Sequence, residues 1–259
     1  MKIGILSKRT NMFTGKITQF YEQSGHTVSV FTLENLVINE ELLKNDFYIL
    51  KSKGLFFLYA GFFLDENNVK VLPDPYTSFM QKHRIHSHYL LRRTGLLTPD
   101  FYMASLETFR NQLVLSDFPL IIKPIMGSGN RGVKKINSID DLDSDNNEIL
   151  YMEKFITGEH YNVYFIADQI CTLVKPPLAN EHVEMEMITT PNDILRIIKK
   201  WRNYLGEKAL FGHLDIVREE KTNSLFVVDL GSFPEFSNWK CEVSPVEKIC
   251  NLILNHVVK

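Results

Sequence analysis

Hydrophobic and polar positions change their period several times along this chain of 259 residues. "MKIGIL" is a short apolar run that predicts a strand, and "NMFTGKITQFYEQSG" repeats apolar residues at helical spacing as far as Gly25. "HTVSVFTL" predicts a second strand, and "DFYILKS" a third, after a polar helix around Glu40–Lys44. A strongly apolar helix follows over Gly54–Asp65, and then "VKVLP". This β-α-β alternation predicts a small parallel sheet with helices on its faces.

Beyond Asp74 the pattern changes. "DPYTSFMQKHRIHSHYLLRRTGLLTPDFYM" opens with turn residues and continues as one helix carrying Phe79, His83, Tyr89, Leu90 and Leu91, stopped by Gly95 and Pro99. "LETFRNQLVL" is a further helix. "PLIIKPI" is a strand, "MGSGNRG" a glycine-rich loop and "VKKI" the strand that leaves it. "DDLDS" starts a short acidic helix, and "EILYMEKFI" is a strand ending in a connector. "HYNVYFIADQICTLVKPP" predicts a hairpin turning at Ala167-Asp168-Gln169. "NDILRIIKKWRNYLGE" is an amphipathic helix bounded by Asn192 and Gly206. "LFGHLDIVREEKTNSLFVVDL" is a second hairpin turning at Lys221–Ser224, and "PVEKICNLILNHVVK" a closing helix. No internal repeat or linker interrupts the chain. The expected organisation is a mixed α/β fold in three packed parts, residues 1–75, 76–156 and 157–259.

Composition narrows the functional classes. Apolar residues make up 44% and charged residues 23%, ordinary for a globular protein, and the formal net charge is −2. No bulk attraction to nucleic acid or anionic lipid follows, so any anion site must be local. Cys171, Cys241 and Cys250 are odd in number and lack CxxC spacing, which argues for thiols rather than a disulfide framework or a Cys-rich zinc site. The apolar run Ile3 to Leu6 is too short for the core of a signal peptide, and Gly54–Leu64 is too short to span a bilayer. The expectation is a cytoplasmic protein with neither membrane nor nucleic-acid partners.

Three places carry chemistry. In "FPLIIKPIMGSGNRGVKKI" a strand delivers Lys123 and then Gly127, Ser128, Gly129, Asn130, Arg131 and Gly132. Glycines let backbone N–H groups approach an anion. The loop joins strand to strand, so it is neither a Walker A loop nor a Rossmann fingerprint. A glycine loop with a lysine on its incoming strand suits a flap over nucleotide phosphates; a ligand-free hairpin has the same glycine content. Lys123 favours the flap, because a lysine in an apolar strand needs an anionic partner or a route to water. In "YMEKFITGEHYNV" a connector at a strand end can offer backbone groups to an adenine edge, or be a surface strand end. Asp215 and Asp229 lie on the two arms of one predicted hairpin. Neighbouring antiparallel strands place such residues on one face, where two carboxylates repel unless protonated or bridged by a cation. Oxygen donors with room for phosphate and water favour Mg²⁺.

The order of these pieces resembles the ATP-grasp superfamily, in particular the branch of RimK-type carboxylate–amine ligases and inositol trisphosphate 5/6-kinases. The resemblance rests on "QKHRIHSHYLLRRTGLLTPDFYM", "IIKPIMGSGNRGV", "YMEKFITGEHYNVYFIADQ", "LVKPP", "GHLDIV" and "VVDLGSFPEF" in that order. It implies an N-terminal α/β pre-domain and two lobes that clasp ATP. It implies ATP and Mg²⁺ as cofactors, with Lys82, Lys123, Gly127, Ser128, Gly129 and Gly132 at the phosphates. Glu153, Lys154 and Ile156 match the adenine hinge, His160 a ribose-side position, and Asp215 and Asp229 the metal ligands. Lys123, Lys175 and Arg131 match catalytic cations. Lys51 could face the acceptor or solvent equally well.

The implied activity is a carboxylate–amine ligase acting through an acylphosphate on an amino acid or peptide-like acceptor. A kinase of an inositol or polyol phosphate and a nucleotide-binding protein without turnover are the alternatives, and a homodimer is left open. The chain departs from the family at three positions. Gly231 stands where an asparagine metal ligand is usual, Glu235 where glycine follows proline, and Asn162 where a basic residue is usual. Ser232, Glu235, Asn238 or a water are the candidates to replace the missing amide. His83 and His86 share a helix face in "KHRIHSH" and read as solvated or phosphate-adjacent rather than metal-binding. The basic face of "RIIKKWRNYLG" reads as solvated, and Phe236 and Trp239 as packing.

Overall fold

The computed structural model describes residues 1–127, 132–142, 149–178, 185–241 and 244–258. Strand β1 (Lys2–Leu6), helix α1 (Met12–Gln23), strands β2 (Thr27–Phe31) and β3 (Phe47–Leu50), helix α2 (Leu55–Glu66) and strand β4 (Lys70–Leu72) form the first layer. Their strands run parallel in the order β2-β1-β3-β4, as the alternation predicts. The caps are local: the Asn11 side chain accepts from Thr14 N, and Gly25 ends α1 at φ 77°. Strand β3 is buried along its whole length, which explains its unbroken apolar run.

Helices α3 (Pro75–Lys82) and α4 (Arg84–Arg93) replace the single helix expected there. His83 is extended at φ −84°, ψ 117°, and forms an isolated bridge with Met126, while Arg84 N donates to Ile125 O at 3.0 Å. These tertiary hydrogen bonds override helical propensity at one residue. They also turn the start of α4, so that Arg84 is buried with Ser87, His88 and Leu91.

Strand β5 (Phe101–Ser105), helix α5 (Leu106–Gln112) and strands β6 (Leu120–Lys123), β7 (Lys134–Ile136) and β8 (Ile149–Lys154) make an antiparallel sheet ordered β5-β8-β6-β7. Strand β9 (Gly158–Ile166), β10 (Gln169–Lys175), β11 (Glu186–Ile188), helix α6 (Asn192–Leu205), strands β12 (Phe211–Glu219) and β13 (Leu225–Gly231) and helix α7 (Pro245–Val257) complete the fold. Their sheet is ordered β11-β10-β9-β12-β13. Both expected hairpins are present: β9 with β10, turning at Ala167, and β12 with β13, with Asn223 in the turn at φ 58°. Strands β5 and β11 are additions to the elements expected from the pattern.

Helix α7 returns to the first layer. One core joins Ile17, Tyr21 and Phe47 to Phe211, Ile249 and Ile253, and Tyr21 Oη donates to Cys250 O at 3.2 Å. A second core packs α4 and α6, through Leu90, Leu91, Ile194, Ile198 and Trp201, against Val163, Leu214 and Val227. Cys171 and Cys250 are buried and Cys241 is half-buried, all as free thiols. Among the described residues no helix is long and apolar enough to cross a membrane.

Candidate nucleotide-binding cleft

A cleft opens between the two antiparallel sheets. Its lining includes Arg84, Lys123, Glu153, Ile156, His160, Lys175, Asp215 and Asp229. Most of the residues singled out from the sequence therefore meet in one place, although they come from six separate elements.

Three ion pairs join charges of the cleft lining: Lys123 with Glu153, Arg84 with Asp229 and Lys175 with Asp215. Lys123 ends β6 with its side chain only 7% exposed, and its Nζ donates to Glu153 Oε2 at 2.5 Å and to Val228 O at 2.9 Å. The other carboxylate oxygen, Glu153 Oε1, accepts from Tyr151 Oη at 2.9 Å. Burial first, and then the Glu153 charge, push the Tyr151 phenol well above its ordinary value. Glu153 thus holds the lysine expected at the phosphates, a task the sequence reading assigned to no side chain. The hinge itself is fixed by backbone: Lys154 N donates to Asp100 O at 2.9 Å and Phe155 N to Pro119 O at 3.1 Å.

The hairpin acids lie opposite each other. Asp215 pairs with Asp229 across β12 and β13, and with Asn162 across β12 and β9. Arg84 Nη1 donates to Asp229 Oδ1 at 2.6 Å, and Lys175 Nζ to Asp215 Oδ2 at 2.5 Å. Burial opposes the Asp229 charge, but Arg84, Lys123 and His213 together hold its carboxyl far below the usual range. Asp215 Oδ1, Asn162 Oδ1 and Arg84 Nε are buried without a hydrogen-bond partner. Orphaned polar atoms of this kind cost about 1–3 kcal/mol each, so they mark places prepared for a ligand. The lining residues Arg84, Lys123, Lys154 and Lys175 set four cations against the three carboxylates Glu153, Asp215 and Asp229.

His160 stands beside Lys175 in the β9–β10 register. Burial, and then the Lys175 charge, outweigh Asp215 and lower the His160 imidazole to about 4, so the ring is neutral near pH 7. Its Nε2 is buried without a partner.

Two parts of the expected phosphate site, Lys82 and the root of the glycine-rich loop, touch each other. Lys82 does not line the cleft; its Nζ donates to Gly127 O, at the root of the glycine-rich loop. Arg84, two residues later, is the cation inside. Its signal was its place on the buried face of α4 with Ser87, His88 and Leu91. Gly127 and Gly132 flank the loop, and Pro124 lies 3.2 Å and 3.0 Å from where their Cβ atoms would be. Gly132 also has φ 72°, so both positions favour glycine. Ser128, Gly129, Asn130 and Arg131 lie outside the described residues.

The space over Gly231 is taken by an imidazole. A Cβ there would lie 2.5 Å from His213 Cε1, and His213 is its partner across β12 and β13. An asparagine at 231 is therefore incompatible with this ring position. The three candidate side chains are bonded to other groups. Ser232 hydrogen-bonds Ser78 at 2.9 Å, Glu235 pairs with Lys51, and the Asn238 amide lies 3.9 Å from Met185 Sδ. Asn162, the cross-strand neighbour of Asp215 on β9, is the nearby amide. Among the described residues no cluster of three His, Cys, Asp or Glu side chains forms a metal centre. The donor set that remains, two carboxylates and an amide oxygen, is hard and all-oxygen. It fits Mg²⁺ completed by phosphate and water.

Comparison with known proteins bears on this geometry. A family profile described as an ATP-grasp domain matches residues 83–211. The α-aminoadipate–LysW ligase of Saccharolobus solfataricus is 28% identical over 183 residues, covering 65% of this chain and 63% of that relative. The aligned stretch thus falls short of two thirds of the relative's length. The ATP-grasp ligase PsnB, solved with a minimal precursor, matches with a TM-score of 0.69 at 16% identity over 98% of both chains. A RimK-domain ATP-grasp protein from Sphaerobacter thermophilus matches with a TM-score of 0.71 at 11% identity, over 98% of this chain and 100% of its own. At these identities the solved structures speak for the fold.

Proposed function

We propose, from the ATP-grasp domain matched over residues 83–211, that the protein is an ATP- and Mg²⁺-dependent carboxylate–amine ligase. The observation that carries the proposal is the facing pair Asp215 and Asp229, each matched to a cation, with Asp215 Oδ1 left without a partner. Asp215, Asp229 and the Asn162 amide would hold Mg²⁺, which supplies charge neutralisation at the transferring phosphoryl group. Lys123, Arg84 and Lys175 neutralise the remaining phosphate charge, so their fixed positions lower the barrier electrostatically. Ile156 and the connector before it receive the adenine. His160, neutral and with Nε2 unpartnered, donates or accepts a hydrogen bond without adding charge.

An acceptor carboxylate oxygen attacks the γ-phosphorus and ADP leaves. An amine nitrogen then attacks the acyl carbon, phosphate leaves, and the nitrogen loses a proton as the amide forms. No protein nucleophile is required. The relatives support an amino acid or peptide-like acceptor, since one is a ligase of α-aminoadipate and LysW and another was solved with a precursor. The test is stoichiometry with ATP, Mg²⁺ and pooled amino acids. Equal ADP and free phosphate, dependent on an amine, is the expected result. ADP without free phosphate, together with a phosphorylated product, would establish a kinase instead.

A further inference from the structure

Glu235 turns away from the cleft acids and reaches the first layer. Its Oε1 accepts from Lys51 Nζ at 2.9 Å, and its Oε2 accepts from Asn11 Nδ2 at 3.3 Å. The two partners differ sharply in exposure: the Lys51 side chain is 6% exposed, that of Glu235 56%. The Lys51 ammonium lies 5.1 Å from the Phe233 ring centroid and 5.5 Å from that of Phe13. The Lys53 ammonium is 5.7 Å from Phe233 and donates to Leu50 O. Burial, followed by the charges of Lys51 and Lys82, holds the Lys53 amine well below its ordinary value. Two lysines from the loop after β3 thus converge on the segment that follows β13.

Short stretches of chain join this cluster to the cleft. Glu235 follows Asp229 by six residues in sequence, and Lys82 reaches the root of the glycine-rich loop while its near neighbour Arg84 holds Asp229. A buried ammonium between two phenyl rings needs a carboxylate, and here a half-exposed side chain supplies it. The Glu235 side chain has solvent to move into, so a ligand carboxylate can take its place with the local charge balance unchanged.

We propose that Lys51 and Lys53, walled by Phe13 and Phe233, seat the carboxylate of an acidic acceptor, and that Glu235 occupies this seat until the acceptor displaces it. The ligand class is an aliphatic chain ending in a carboxylate, as in a dicarboxylic acid or an acidic amino acid. The word acceptor rests on the ligase reading above; the seat itself does not.

The test is calorimetric titration with glutarate, without nucleotide, of the wild type, Glu235→Gln and Lys51→Met, with inorganic phosphate in parallel. Removing a plug that holds the seat most of the time tightens glutarate binding by about fivefold in Glu235→Gln, and Lys51→Met loses it. Unchanged affinity in Glu235→Gln overturns the proposal, as does wild-type binding in Lys51→Met. Tighter binding of phosphate than of glutarate in Glu235→Gln overturns the carboxylate class. Glu235 is half-exposed, so its variant reports even where Lys51→Met does not fold. Because ATP is absent, failure here leaves the ligase reading to be judged on phosphate release.

Discussion

Removing Lys123 separates what the cleft does for stability from what it does for nucleotide. Lys123→Met leaves the Glu153 carboxylate 8% exposed with only the Tyr151 hydroxyl as partner. Breaking a buried pair in this way costs about 3–5 kcal/mol, because one charge stays buried without its partner. At about 2–4 °C per kcal/mol for a chain of this size, melting falls by roughly 6–20 °C. The double variant Lys123→Met/Glu153→Leu removes both charges from a site walled by Ile121 and Val228, and it recovers most of that loss. Nucleotide affinity behaves differently. Loss of one charge-assisted contact to phosphate weakens ATP by roughly 10–150-fold in both variants. Denaturant unfolding and ATP titration on the same preparations read the two effects. A single variant costing under about 1 kcal/mol would contradict the burial argument. Wild-type ATP binding in the stable double variant would remove Lys123 from the phosphate site.

Three further outcomes follow from the geometry. Gly231→Asn drives a Cβ to 2.5 Å from the His213 ring and destabilises by about 1–3 kcal/mol; adding His213→Gly relieves the clash, and unfolding curves of the two variants check both statements. Arg84→Met leaves Asp229 without its 2.6 Å partner, and fluorescent-nucleotide titration should show binding weakened by roughly tenfold or more. His160 has a folded value near 4, below its ordinary 6.5, so the unfolded chain binds the extra proton between those values. Its contribution, at most about 3 kcal/mol, is present above pH 6.5 and is lost as pH falls through 4. His160→Gln should flatten that part of the stability profile, and an unchanged profile would contradict the assignment.

The sequence carried the local features of this fold well. Apolar periods located the parallel layer and both hairpins, because each is set by neighbours a few residues apart. The pairing of Asp215 with Asp229 was readable because a short turn fixes hairpin register. A one-residue irregularity between Asp215 and Ile216 left that pairing intact. The break at His83 was not readable, since its cause is a bridge to Met126 and a hydrogen bond from Arg84 to Ile125. The occupant of the space over Gly231 is likewise set by the partner strand. The pairing of Lys51 with Glu235 spans 184 residues, so position in the chain gives no hint of it. Short strands such as β5 and β11 have too few residues for a period to emerge.

The central claim is that an acceptor carboxylate takes the phosphoryl group before the amine arrives. Mass spectrometry of the phosphate released from ATP, with pooled amino acids carrying ¹⁸O in their carboxylates, tests it most directly. The account predicts one ¹⁸O in each phosphate formed during amine-dependent turnover. Phosphate containing no ¹⁸O, or label retained in a phosphorylated product without amide formation, would contradict it.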